Sequence, residues 1–238
     1  MGARDDKLPT AGSSDDEIAG FLSQVRRAPR GGSHQGRLLF GLDATASRER
    51  AWDRACHIQG EMFRETASIG GLSMQLAYYR GFGELHATPW TSDSEWLLQR
   101  MTAVRCLGGR TQIARLLRHA GRETRRQKVD AMIFVGDCVE DNVDDMCHVA
   151  GKLGLVGLPV FVFHEIGDPS ARSSLQQVAR LSGGAYCPFD EASAARLSEL
   201  LRAVAVYAAG GRKALENYGR DGRSEAVRLL TSQLGARR

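Results

Sequence analysis

The sequence predicts a three-layer α/β fold, doubly wound, with a mostly parallel central sheet of about six strands and helices on both faces. Three observations predict it. First, the apolar runs RLLFGLD (37–43), VDAMIFVGD (129–137) and LPVFVFHE (158–165) show no polar alternation. A strand covered on both faces reads that way. Second, amphipathic stretches long enough to cross a sheet separate these runs, and parallel strands need such crossovers. Third, LSMQLAYYRG (72–81) is followed at once by FGELHATPW (82–90). That spacing leaves room only for a hairpin, so one edge strand is antiparallel.

The elements follow in order. Residues 1–35 form a flexible segment with one short helix, SSDDEIAGFLSQVRR. Ser14 is its N-cap, Asp15, Asp16 and Glu17 fill the first turn, and Arg26 and Arg27 close the last, which is the polarity the helix dipole favours. Ile18, Phe21, Leu22 and Val25 share one face, so the helix docks on its own domain or, failing that, on a partner. APRGGSHQG is a linker. The main domain spans 36–209. After the first strand come a long helix (47–68), the strand 72–81 with its hairpin partner, and helices at 92–104 and 112–127. The strand 129–137, a helix from Asn142 to Leu153, the strand 158–165 and a helix from Pro169 to Leu181 complete the central run. A short strand (185–189) and a helix (192–209) end the domain. Residues 210–238 form a helical tail broken around Gly219 and Gly222.

Composition excludes several classes of function. Thirty-two basic against 28 acidic residues give a formal net charge of +4, spread along 238 residues. The densest basic run, Arg122, Arg125, Arg126 and Lys128, reads as a solvated helix end. No aromatics interleave with it, so no nucleic-acid partner is expected. Five cysteines, an odd number without a CxxC pair, fit neither a disulfide framework nor a thiolate zinc site. A reducing compartment suits them. The N-terminus lacks an apolar signal region, Asp6 stands where a myristoylation motif needs Ser or Thr, and no apolar stretch reaches membrane-spanning length. The expected location is cytoplasmic. Oligomeric state leaves no mark on the sequence.

In an open α/β sheet, ligands bind beyond the carboxyl ends of the strands, near a topological switch point. The first strand ends in Asp43-Ala-Thr-Ala-Ser. In an extended segment Asp43, Thr45 and Ser47, at i, i+2 and i+4, point the same way. Asp137 ends the run 129–137. Between them, Gly108-Gly-Arg-Thr permits a tight turn and puts the Thr111 hydroxyl at a helix start. Two carboxylates and three hydroxyls make a hard-cation set, best suited to Mg²⁺, with Mn²⁺ or Ca²⁺ as alternatives. Only two of those ligands are charged, so the ion stays electrophilic and accepts one more carboxylate from outside.

Competing readings attach to the same residues. Thr45 and Ser47 can simply cap the helix that follows, with Ser47 as its N-cap. That reading leaves Asp43 and Asp137 crowding two negative charges at one edge. Asp141, Asp144 and Asp145 flank a helix N-terminus, and Glu140 is near enough only for a metal-bound water. Cys138 follows Asp137 directly, and a soft ligand there would favour other metals; like Cys56, Cys106 and Cys187, it reads as packing. His164 is the histidine nearest the top edge. Trp52, Trp90 and Trp96 are core or rim anchors, with Trp90 placed near the metal face where it would serve a partner.

The pattern DATAS, then GGRT, then GD after the next buried strand resembles the metal-ion-dependent adhesion site of von Willebrand factor A (vWA) domains. That family carries DxSxS, a distant Thr and a distant Asp. The order of elements from about residue 36 to 209 is similar too. By resemblance, Asp43, Thr45 and Ser47 form the first metal loop, Thr111 the second and Asp137 the third, and a partner protein's Asp or Glu completes the shell. Resemblance also implies that the last domain helix and the tail shift as that outside ligand changes. The chain departs in having Thr45 for the usual Ser and GDC where the family often has TDG. The rival reading is a metal-dependent phosphohydrolase. Haloacid dehalogenase-like phosphatases also begin with an Asp after the first strand, but need a second Asp where Thr45 stands. There is no GxxxxGK[ST], no GxGxxG after the first strand and no GxSxG. A scaffold with a degenerate metal site is the third reading. The expectation is a non-enzymatic, metal-dependent interaction module.

Overall fold

The computed structural model describes residues 36–49, 72–165, 169–189 and 203–208. The expected helix at 14–27, the body of the helix at 47–68 with Trp52 and Cys56, most of the helix at 192–209 and the tail lie outside the described residues.

Six strands form one sheet: β1 (Gly36–Asp43), β2 (Leu72–Arg80), β3 (Glu84–Ala87), β4 (Ala131–Gly136), β5 (Val160–Glu165) and β6 (Tyr186–Phe189). Their spatial order is β3-β2-β1-β4-β5-β6. All pairings are parallel except β2 with β3, the expected hairpin edge. The chain leaves β1 toward β2 on one side and returns to pair β4 on the other. The sheet therefore reverses its winding between β1 and β4, and a crevice forms beyond their carboxyl ends.

Alternation along β1 divides the core in two. Leu38, Phe40 and Leu42 face one layer with Ile133, Val135, Phe161 and Phe163. That layer holds α1 (Ser94–Thr102), through Leu97 and Met101, and the helical residues 203–208. Tyr207 meets Phe161 edge-on at 5.9 Å. Leu39, Met132, Phe134, Val160 and Val162 face the other layer. There they meet α2 (Ile113–Arg126), α3 (Val143–Leu155) and α4 (Pro169–Ser182). Each fully buried Leu or Phe contributes about 1.5–3 kcal/mol. Burial on both faces is what makes β1, β4 and β5 read as unbroken apolar runs.

Helix starts follow the capping rules, with one exchange. Asp93 accepts from Trp96 N at α1, and Asn142 accepts from Asp145 N at α3. At α2 the N-cap position holds Gln112, whose side chain makes no capping bond. Asp141 caps α2 from across the molecule, accepting from Ile113 N at 3.0 Å and Ala114 N at 2.9 Å. Asp141 does flank a helix N-terminus, as expected, but the helix is α2 and not the α3 that follows it in sequence.

Trp90 corrects another expectation. Its indole donates to Glu123 Oε2 at 2.7 Å, near the C-terminus of α2, and the Arg37 guanidinium lies 3.7 Å over its ring. Arg37 stands at the start of β1, so Trp90 sits at the edge opposite the strand tips and cannot serve a ligand there. The basic run behaves as a helix end, with Arg126 paired to Glu123 and Lys128 to Asp130.

Candidate metal centre

Asp43 is the last residue of β1 and fully buried. Its Oδ1 accepts from Thr45 N at 2.8 Å and Thr45 Oγ1 at 2.6 Å. Its Oδ2 accepts from the Tyr79 hydroxyl at 2.9 Å. Thr45 Oγ1 lies 3.1 Å from Ser47 Oγ. Thr45 is extended and precedes a single 3-10 turn, Ala46–Arg48, without capping it. The capping alternative therefore does not hold for Thr45, whose hydroxyl turns back to the Asp43 carboxylate. Burial raises the Asp43 pKa above the usual carboxylate range, against the opposing pull of the Thr45 and Tyr79 hydrogen bonds and the Arg48 charge. Burial and the neighbouring Asp43 push Tyr79 well above its ordinary value, so it stays a donor.

Asp137 follows β4 directly. Its Oδ1 is buried and finds no hydrogen-bond donor among the described residues. One oxygen each of Asp43 and Asp137 and the Cys138 Sγ all lie within 4.8 Å of one another. The structure thus brings together the two carboxylates that the sequence pointed to and sets beside them the Cys138 thiol, which reads from sequence as packing. Burial first, and then Asp137 and Asp43, push the Cys138 thiol up to about 12.

The second loop is held by backbone contact. A Cβ on Gly109 would lie 2.0 Å from Gly81 O, so only glycine lets the strands of chain approach here. Gly81 itself has φ +59°, and its carbonyl accepts from Arg110 N at 3.2 Å. This seats Thr111 against the third loop. Its Oγ1 donates to Asp141 Oδ2 at 2.8 Å and accepts from Glu140 N at 2.7 Å, while its N–H donates to Glu140 Oε2 at 3.1 Å. One lone pair of the Thr111 hydroxyl remains. Glu140 is thereby a loop clasp.

Two residues near the centre escaped the sequence reading or took another role. Arg48 falls in the expected helix at 47–68 with no role assigned, and it is 1% exposed. Its Nη1 donates to Asp43 O at 3.2 Å and, at 3.5 Å, to Val135 O, and its Nε donates to Glu165 Oε2 at 3.1 Å. Only its separation of five residues from Asp43 could have signalled this. His164 is buried, with Nε2 3.0 Å from Asp137 O and Nδ1 2.7 Å from the Tyr186 hydroxyl. A carbonyl only accepts, so Nε2 carries the proton and Nδ1 accepts from Tyr186. His164 braces the third loop through its backbone.

The comparison with solved structures settles the class of fold. The chain matches the SpaC pilus adhesin of Lactobacillus rhamnosus GG in its open conformation, with TM-score 0.61 and 11% identity, over 80% of this chain and 31% of the adhesin. It matches the SpRpn10 VWA domain with TM-score 0.56 and 10% identity, over 74% of this chain and 97% of that domain. The fold is that of a von Willebrand factor A domain. This vWA fold also matches proximal thread matrix protein 1 from the mussel byssus, solved with a zinc-occupied MIDAS motif. That match has TM-score 0.54 and 16% identity and covers 72% of this chain and 45% of that one. This chain thus spans less than a third of the adhesin and less than half of the byssus protein. No family model and no curated protein matches the sequence. The Asp43 and Asp137 loops follow the carboxyl ends of β1 and β4, where the sheet reverses its winding. No helix among the described residues is long and apolar enough to cross a membrane.

Proposed function

We propose that this vWA fold binds one divalent cation through Asp43, Thr45, Ser47, Thr111 and Asp137 and presents it to a protein partner, whose Asp or Glu fills the open position. The observation that carries this reading is the buried Oδ1 of the half-buried Asp137, which has no donor among the described residues and lies near the fully buried Asp43. Two carboxylates this close repel, the Arg48 guanidinium near Asp43 is already paired with Glu165, and a cation between the carboxylates removes that cost. Asp43 and Asp137 would supply the charge, and the hydroxyls of Thr45 and Ser47 neutral oxygens. The remaining lone pair of Thr111 makes it a direct or water-mediated ligand. Such an oxygen set suits Mg²⁺. A bound cation supplies Lewis acidity toward an outside carboxylate.

Binding is favoured over catalysis by the state of the neighbouring groups. Cys138 is pushed up to about 12 and Tyr79 well above its usual value, so neither ionises readily near neutrality. Both His164 nitrogens are engaged. General base or nucleophile chemistry needs a group free to act. Support for an interaction role also comes from the adhesin, and support for a metal from the zinc-occupied byssus protein. Cys106, Cys138, Cys147 and Cys187 are free thiols, which suits a reducing, cytoplasmic setting.

Calorimetric titration of metal-stripped protein with Mg²⁺ and Mn²⁺, wild type beside Asp43→Ala, tests the reading. One ion bound by wild type and none by the variant supports it. Addition of a peptide with a single Glu should then release heat only when metal is present. A variant that binds as wild type does would overturn the assignment of Asp43.

A further inference from the structure

We propose that Cys138 selects the metal: its sulfur joins Asp43 and Asp137 as the third protein ligand, and the centre takes Zn²⁺ in preference to Mg²⁺. The inference rests on the metal-dependent reading above and changes which ion that reading implies. Its basis is placement. Cys138 follows Asp137 at the tip of β4, and its Sγ lies within 4.8 Å of carboxylate oxygens from both aspartates. Zinc holds sulfur at about 2.3 Å and oxygen at about 2.0 Å, so in a tetrahedral shell two such ligands stand about 3.5 Å apart. The three ligand atoms, all within 4.8 Å of one another, would close in slightly to surround one ion. Magnesium takes hard oxygen ligands in near-ideal octahedral order, and a thiolate is a poor member of that set. Zinc accepts mixed sulfur and oxygen ligands. With three protein ligands it keeps a fourth position open, which is where a partner carboxylate would enter.

Two carboxylates and a thiolate carry three negative charges, and a divalent ion cancels two. The buried Arg48 guanidinium, bonded to the Asp43 carbonyl and paired with Glu165, stands near Asp43, and the zinc centre keeps a net negative charge. The Ser47 hydroxyl is a hydrogen-bond neighbour of the thiol and opposes, as the smallest of the causes, the burial and the two aspartates that push the thiol up. On binding, the Cys138 S–H bond breaks, a sulfur–metal bond forms, and the proton leaves to solvent. No oxidant or reductant takes part.

The full-length, metal-stripped chain is titrated with Co²⁺, which occupies zinc sites and reports sulfur ligation by a thiolate-to-cobalt charge-transfer band in the near ultraviolet. Wild type should show the band. Cys138→Ser should bind Co²⁺ without it, although the other four cysteines remain. In competition titrations, wild type should prefer Zn²⁺ to Mg²⁺ by on the order of 100-fold or more. Cys138→Ser should lose at least about tenfold of that preference. Matching thermal transitions of the two stripped proteins show that the substitution leaves the fold intact. If that fails, Cys138→Ala is used in the same way. Co²⁺ bound by wild type without the band overturns the role of Cys138 and leaves the carboxylate site standing. A band that persists in both Cys138 variants assigns the sulfur to another cysteine and also overturns it. No binding of Co²⁺, Zn²⁺ or Mg²⁺ by wild type defeats both this inference and the reading beneath it.

Discussion

Tyr79 and Asp43 stand opposite each other in the parallel register of β2 against β1, and the Tyr79 hydroxyl donates to Asp43 Oδ2 at 2.9 Å. Asp43 Oδ1 already accepts two hydrogen bonds from Thr45. The carboxylate is therefore left with one lone pair, on Oδ2, for anything that enters the crevice. Tyr79→Phe should cost about 1–3 kcal/mol in the metal-free protein, because a buried charged acceptor loses its donor. Urea denaturation in chelator measures this. Added divalent metal should recover part of the loss, since it gives Oδ2 a new partner.

Asp137 should behave in the opposite sense. Its buried Oδ1 has no donor among the described residues, and the Asp43 carboxylate lies nearby. Asp137→Asn removes one of two facing charges, so it should raise the melting temperature of the chelated protein while abolishing metal binding. Thermal scans with and without metal decide this. A lower melting temperature in chelator would show that Asp137 is already compensated.

Arg48 is the costly substitution. Arg48→Met leaves the Asp43 and Val135 carbonyls without this donor and Glu165 without its ion-pair partner. Breaking a buried pair from one side costs about 3–5 kcal/mol. The Glu165 side chain is 21% exposed and can turn to water, so the lower end of that range is expected. Glu165→Gln should cost less, because it keeps an acceptor for Arg48. Chemical denaturation of the two variants gives the order.

His119 makes stability depend on pH away from the crevice. It lies in α2 with Nε2 2.9 Å from Gln75 Oε1. Burial lowers its pKa below the ordinary 6.5; Glu123 opposes the shift, and Arg122 and Arg126 add to it. Between the lowered folded value and 6.5 the unfolded chain binds more protons than the folded one, so stability rises with pH there. This stability is fully present above 6.5 and lost as pH falls through the folded value. Denaturation midpoints across the weakly acidic range should show the slope, and His119→Gln should flatten it.

What the sequence discloses here follows from how far each cause reaches along the chain. β1, β4 and β5 are legible because burial on both faces writes an unbroken apolar run, and Asp43 and Asp137 are legible because each ends such a run. The hairpin edge is legible from spacing alone. Arg48 is not, because its partners lie 87 and 117 residues away and nothing local distinguishes it from a solvated arginine. Tyr79 reads as one more strand aromatic, since its hydroxyl is explained only by register with β1. Trp90 was misplaced because a loop after an edge strand can lead to either end of the sheet; the pairing of Thr91 with Met74 and the contact with Arg37 carry it to the lower end. Cys138 reads as packing from its residue type, and its nearness to Asp43 comes only from the β1/β4 pairing.

The bonds of Arg48 to two strand tips and to Glu165 have one more consequence. They fasten the first loop to β1, β4 and β5 with protein groups alone. A receptor assembled in this way exists before its ion arrives, so little binding energy is consumed in ordering the chain. Chelation should leave a folded, cooperative domain, unlike small zinc domains that unfold when stripped. The rate of capture should then be governed by how fast the ion sheds its water, and loading should follow the surrounding metal concentration within the lifetime of a single protein molecule.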